Sequence, residues 1–132
     1  KQVALSLALE PVLPHVTADD AQLRQALLAL LINSLDATAS GGQITLSTAR
    51  APEDRVALTV ADTGVGIPQD QLGKIFTPFF TTKPVGQGTG LGLSACHGIV
   101  TAHGGEMRVE SEVGAGTQVT MLLPAARRAG KA

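Results

Sequence analysis

Asp62 closes a segment in which Val56, Leu58 and Val60 share one phase of a two-residue period, and it continues that phase. The alternation turns a carboxylate toward the core side of a strand, where the stretch Thr63-Gly64-Val65-Gly66-Ile67 begins. An ionised carboxylate withdrawn from water without a donor is costly, so Asp62 must meet one. The donor could come from a ligand, or from the backbone of Thr63 and Gly64 in an aspartate turn. Thr117 stands in phase with Val119, Met121 and Leu123 and sets a hydroxyl on the same kind of face. A threonine on a strand is ordinary. Beside Asp62, however, it supplies a hydroxyl that could face the same pocket as the carboxylate.

Two further groups could handle an anion and its counter-ion. Asn33 lies mid-helix among apolar neighbours, with Ala29 and Ala37 one turn to either side. It could be a satisfied core amide, or an oxygen donor to Mg²⁺, a hard cation usually shared with substrate phosphates. Gly86-Gln87-Gly88-Thr89-Gly90-Leu91-Gly92 leads directly into a helix. Glycines there let backbone N–H groups converge on a phosphate at a helix N-terminus. They could equally be hinges of a surface loop, because no strand precedes them as a dinucleotide fingerprint requires.

The elements that must carry these groups follow from periodicity. Residues 2–9 alternate as a half-buried strand, punctuated by Pro11 and Pro14. Asp19 or Asp20 can cap a helix through Ala37, with a core stripe of Leu23, Leu27, Leu30, Leu31 and Leu35, ended by Gly41 and Gly42. Strands are predicted over 43–49 and 55–62, a short helix near 68–75, a mobile loop over 77–90 and a helix over 91–103 stopped by Gly104 and Gly105. Two last strands, over 106–113 and 117–123, flank Gly114-Ala115-Gly116. Mixed elements with two hairpins predict an α+β fold, a two-layer sandwich with helices on one face of a mixed, mainly antiparallel sheet. Residues 1–125 are expected to form this domain and 126–132 a tail or linker stub.

Composition narrows the functions available. With 132 residues, 44% hydrophobic and 16% charged, the chain can build one core, and a net charge of -1 offers no field for nucleic acid or an anionic membrane. The one cysteine, Cys96, excludes an internal disulfide and reads as a buried structural thiol in a reducing compartment. No stretch resembles a membrane span or a signal peptide, and an opening Lys1 reads as a piece of a longer protein. All three phenylalanines, Phe76, Phe79 and Phe80, fall within five positions, which calls for a reason other than core filling.

In combination these segments resemble the histidine-kinase branch of the ATPase superfamily that includes gyrase B, the ninety-kilodalton heat-shock chaperones and MutL. LLINSLDA (30–37) looks like the N box, DTGVGI (62–67) like the first glycine box and IFTPFFTTK (75–83) like the F box. GTGLGL (88–93) looks like the second glycine box, and Gly114-Ala115-Gly116-Thr117 like the further GxGT element. The resemblance implies a Bergerat-type fold that binds ATP with Mg²⁺. It places Asn33 on the metal, and Asp62 on the adenine amino group with help from Thr117. Gly64 and Gly66 would let the base approach the backbone, and Ile67 and Ala37 would pack it. Gly88, Thr89, Gly90, Leu91 and Gly92 would shape the lid around the triphosphate, with Lys83 as a phosphate contact. The catalytic assignments are thus Asn33 and Lys83.

The same resemblance implies transfer of the γ-phosphoryl group to a histidine on a separate dimerisation domain, and then a response regulator downstream. The three histidines here, His15, His97 and His103, precede Val16, Gly98 and Gly104. None has the acidic neighbour of the family's acceptor motif, so all three read as ordinary surface or helix residues. Ala29 departs from the pattern: it occupies a position where an asparagine is usual, on the helix turn that carries the water-activating glutamate in the gyrase and chaperone branches. A cytoplasmic, monomeric domain without its phosphoacceptor is the expectation, in a parent that could be membrane-anchored. The alternatives on the same fold are an anti-sigma-type protein-serine kinase and a non-catalytic nucleotide-sensing module.

Overall fold

Asp19 starts the first helix by accepting the Gln22 amide at 3.0 Å, the N-cap interaction that satisfies an otherwise orphaned donor. The computed structural model of the chain describes residues 2–11, 16, 19–72 and 92–125. Helix α1 runs Asp20–Ala37 and stops at Thr38, whose backbone turns to an extended conformation and whose hydroxyl donates to the Ser34 carbonyl at 2.7 Å. The stop therefore precedes Gly41 and Gly42. Gly41, at φ +90°, instead serves the turn that feeds the next strand.

Strand β1 is Ala4–Leu9, β2 Gln43–Ala51 and β3 Arg55–Asp62. A four-residue helix α2 (Gln69–Leu72) follows, then α3 (Gly92–Ala102), β4 (Glu106–Glu112) and β5 (Gly116–Pro124). The five strands form one sheet in the order β1-β2-β3-β5-β4. Only β1 and β2 run parallel; β2–β3, β3–β5 and β4–β5 are antiparallel. Helices α1 and α3 pack against each other and against β3, β4 and β5, which gives the α+β sandwich that the element order predicts. Among the described residues no helix is long and apolar enough to cross a membrane.

The core joins the two layers through Ala26 and Leu30 of α1, Cys96 and Val100 of α3, and Val60, Val119 and Met121 of the central strands. Two expectations need correction. The buried line of α1 passes through Ala26, Leu30, Ser34 and Thr38, while Leu35 is 43% exposed, because α1 leans on α3 as well as on the sheet and turns its face accordingly. Strand β1 is also not half-buried in the ordinary way: Leu5 and Leu7 share a face with Ile44 and Leu46, yet each is 60% exposed. An edge strand beyond the reach of α1 and α3 keeps its apolar side uncovered.

His103 does more than an ordinary helix-end residue. Its Nδ1–H donates to the Ile99 carbonyl at 2.8 Å and its Nε2 accepts the Asp19 amide at 3.0 Å, the tautomer that satisfies both contacts. It thereby joins the end of α3 to the start of α1.

Cys96 is fully buried, its thiol 3.8 Å from the Met121 sulfur, and burial pushes its pKa from 9.0 up to about 12. The folded protein thus keeps this proton where the unfolded chain releases it. Stability from Cys96 is complete below pH 9 and is lost as pH rises from 9 toward about 12. At about 1.4 kcal/mol per pH unit the loss reaches roughly 4 kcal/mol. Urea unfolding followed between pH 8 and 11.5 should show this fall in the wild type and a shallower one in Cys96→Ala. A thiol reagent should label Cys96 only as fast as the protein unfolds.

Candidate functional site

Strand phase carries Asp62 to the helix side of β3, in register with Ile44 of β2 and Thr117 of β5. There the half-buried carboxylate meets two donors on one oxygen: Oδ1 accepts the Gly64 amide at 2.8 Å and the Thr117 amide at 3.2 Å. The first is the aspartate turn. The second ties β3 to β5 across the site. Both possibilities read from the sequence are therefore compatible, because Oδ2 has no hydrogen-bond partner among the described residues and stays open as an acceptor.

The loop after Asp62 is strapped to three elements. Thr63 takes the Gln43 carbonyl with its amide at 3.1 Å, and its hydroxyl accepts the Gln43 amide at 2.9 Å. Val65 donates to the Ala37 carbonyl at 3.2 Å, which fastens the loop to the last turn of α1. Gly114 donates to the Val65 carbonyl at 2.9 Å, and Ile67 donates to the Ser111 hydroxyl at 2.7 Å, so the β4–β5 turn supports the loop from the other side. Gly66, at φ +79°, has no room for a side chain, since a Cβ would enter the Glu112 carbonyl. A Cβ on Gly64 would likewise meet the Ala37 carbonyl. The close approach that these glycines permit is of loop backbone to α1 and β4.

Thr117 is buried at the start of β5, its hydroxyl 2.7 Å from Ser111 Oγ. Ser111 was not singled out by the sequence reading, although the same signal marks it. On β4 the inward residues are Met107, Val109 and Ser111, against exposed Glu106, Arg108, Glu110 and Glu112, so a hydroxyl takes an apolar position here too.

Asn33 and Ala37 lie one turn apart on α1, about 6 Å along the helix axis, and Ala37 touches the loop through its carbonyl. Asn33 is half-buried, and its amide has no partner among the described residues. Ala29 is half-buried one turn earlier and offers only a methyl group. Ile67 is half-buried beside the loop's end. Asp62, Gly64, Gly66, Ile67, Thr117 and Ala37 thus come together around the ends of β3, β5 and α1, and Asn33 lies one turn back along α1. Gly92 is the first residue of α3. Lys83, Gly88, Thr89, Gly90 and Leu91, with Phe76, Phe79 and Phe80, lie outside the described residues. Among the described residues no three His, Cys, Asp or Glu are grouped to hold a metal ion.

A mixed five-stranded sheet under two helices, with an inward aspartate at a strand end and a glycine loop strapped beside it, defines a Bergerat-type ATPase domain. The chain belongs to the histidine kinase-, DNA gyrase B-, and HSP90-like ATPase family, which matches residues 18–127. It is 47% identical over 123 residues to the sensor kinase CckA of Brucella abortus, covering 83% of this chain and 13% of that protein. It is 41% identical over 128 residues to the sensor histidine kinase ZraS of Salmonella typhi, covering 97% of this chain and 27% of the relative. Among solved structures, full-length ShkA in complex with AMPPNP superposes with a TM-score of 0.84 at 32% identity, over 98% of this chain and 27% of that one. The chain thus spans about a quarter or less of the length of these proteins.

Gly66 and Gly114, two of the positive-φ glycines near the site, separate strain from crowding. Gly114, at φ +86°, faces open space, so Gly114→Ala is expected to cost about 1–2 kcal/mol. Gly66→Ala meets the Glu112 backbone as well and should cost clearly more, read from urea unfolding midpoints. Equal costs would show that the loop is free to move off β4.

Proposed function

We propose that this chain is the ATP-binding catalytic domain of a two-component sensor histidine kinase, which donates the γ-phosphoryl group of ATP to a histidine on a separate dimerisation domain. The observation that carries the reading is Asp62: one carboxylate oxygen is held by two backbone amides, and the other is left to accept from a base amino group. Thr117 stands beside it. Gly64 and Gly66 bring the loop against α1 and β4, which shapes the wall where Ile67 and Ala37 would pack the base. That the similar protein ShkA has been solved in complex with AMPPNP supports nucleotide binding by this chain.

Mg²⁺ would accompany the triphosphate and neutralise part of its charge. Asn33 fits that role, since a half-buried amide without a partner among the described residues has a carbonyl oxygen to give and lies one turn along α1 from the loop contact. Lys83, Gly88, Thr89, Gly90, Leu91 and Gly92 are assigned to the triphosphate on the family resemblance. Phosphoryl transfer needs positioning and charge neutralisation more than covalent help from the protein. Ala29 offers no carboxylate to activate water, so the phosphoryl group is kept for the acceptor histidine, and a response regulator is the downstream partner.

Titration calorimetry with AMPPNP should show binding that strengthens with Mg²⁺. Asp62→Asn keeps a carbonyl oxygen for the Gly64 and Thr117 amides but presents an NH₂ group where Oδ2 was. It should weaken nucleotide binding about 10- to 100-fold with little change in melting temperature. Unchanged affinity would contradict the assignment. Mixed with ATP and a histidine-bearing dimerisation domain, the protein should yield acid-labile phosphohistidine. An acid-stable phosphoserine on a partner protein would point to the anti-sigma-type reading, and binding without transfer to a nucleotide sensor.

A further inference from the structure

Ser111 occupies a junction whose proton count has one solution. Its Oγ lies 2.7 Å from the Ile67 amide, 3.0 Å from the Gly116 carbonyl and 2.7 Å from Thr117 Oγ1. A hydroxyl has one proton to give and two lone pairs to receive with. The Ile67 N–H can only donate, and the Gly116 carbonyl can only accept. The Ser111 proton therefore goes to Gly116, and the short contact with Thr117 is filled by the Thr117 proton. Any other assignment leaves two oxygens 3.0 Å apart with no hydrogen between them.

We infer that Ser111 is a positioning residue that fixes Thr117 as an acceptor and so helps the site choose a 6-amino purine over a 6-oxo one. Ser111 has this role only if the pocket holds the base as proposed above. With its proton committed to Ser111, Thr117 Oγ1 presents lone pairs alone, beside the open Oδ2 of Asp62 across the β3–β5 register. Two neighbouring acceptors match an exocyclic amino group, directly or through a water, and repel a carbonyl oxygen. A site built in this way rejects the mismatched base because its own polar groups are then left unpaired. Ser111→Ala frees the Thr117 proton to turn into the pocket, which makes that hydroxyl a donor as readily as an acceptor.

The test compares the affinities of the β,γ-imido analogues of ATP and ITP, with melting curves taken on the same samples. The wild type should prefer the adenine form by at least about tenfold. Ser111→Ala should narrow that ratio at least about threefold, and Ser111→Thr, which keeps a hydroxyl, should restore it. Where the alanine variant does not fold, Ser111→Cys, of similar shape and with a weak acceptor, should narrow the ratio in the same direction. An unchanged ratio in a folded Ser111→Ala or Ser111→Cys protein, even with both affinities lowered, overturns the inference and makes Ser111 merely structural. A wild type that binds neither analogue instead overturns the nucleotide reading on which it stands.

Discussion

Two backbone amides converge on Oδ1 of Asp62, and most of the site follows from that convergence. The Gly64 amide closes a turn at the end of β3, and the Thr117 amide reaches across from β5. Because both amides use the same oxygen, the other is left without a donor among the described residues. The carboxylate's orientation is therefore set before any ligand arrives, which is the condition for recognising a base without reorganising the site.

That orientation depends on neighbours that do not touch the carboxylate. Asp62 and Thr117 are in register, and Ser111 stands opposite Thr117 on β4, so three adjacent strands each contribute one polar residue at an otherwise apolar phase. The loop from Thr63 to Ile67 is held by Gln43, Ala37 and Ser111, drawn from β2's first residue, α1's last and β4. Gly66 permits the last approach, and Gly116, at φ +130°, brings the β5 start onto the Asp62 carbonyl. Asn33 reports on the same geometry from the helix layer, one turn from the carbonyl that holds Val65.

Strand phase made much of this legible in the sequence. Asp62 and Thr117 both interrupt an apolar series with period two, and a polar residue in such a place needs a partner. The strands, both hairpins and the Asp19 cap likewise follow from alternation, turn residues and capping chemistry. Ser111 bore the same mark on β4, in a series of only Met107 and Val109, too short to draw attention to it. Leu35 and the leucines of β1 could not be placed by periodicity. Whether an apolar side chain is covered depends on how α1 leans on α3 and how far the helix layer extends over the sheet. For Gly64 and Gly66 the family resemblance implies space for a base to approach the backbone. The structure adds that the space is taken by Ala37 and Glu112 backbone. His103 gave no signal at all, since its two bonds join segments 84 residues apart.

A crystal structure of this chain with AMPPNP and Mg²⁺ tests the central claim most directly. The account predicts the adenine amino nitrogen about 3 Å from Oδ2 of Asp62, with Oδ1 still holding the Gly64 and Thr117 amides. A base bound elsewhere, or an Asp62 that gives up either amide to receive it, would contradict the account.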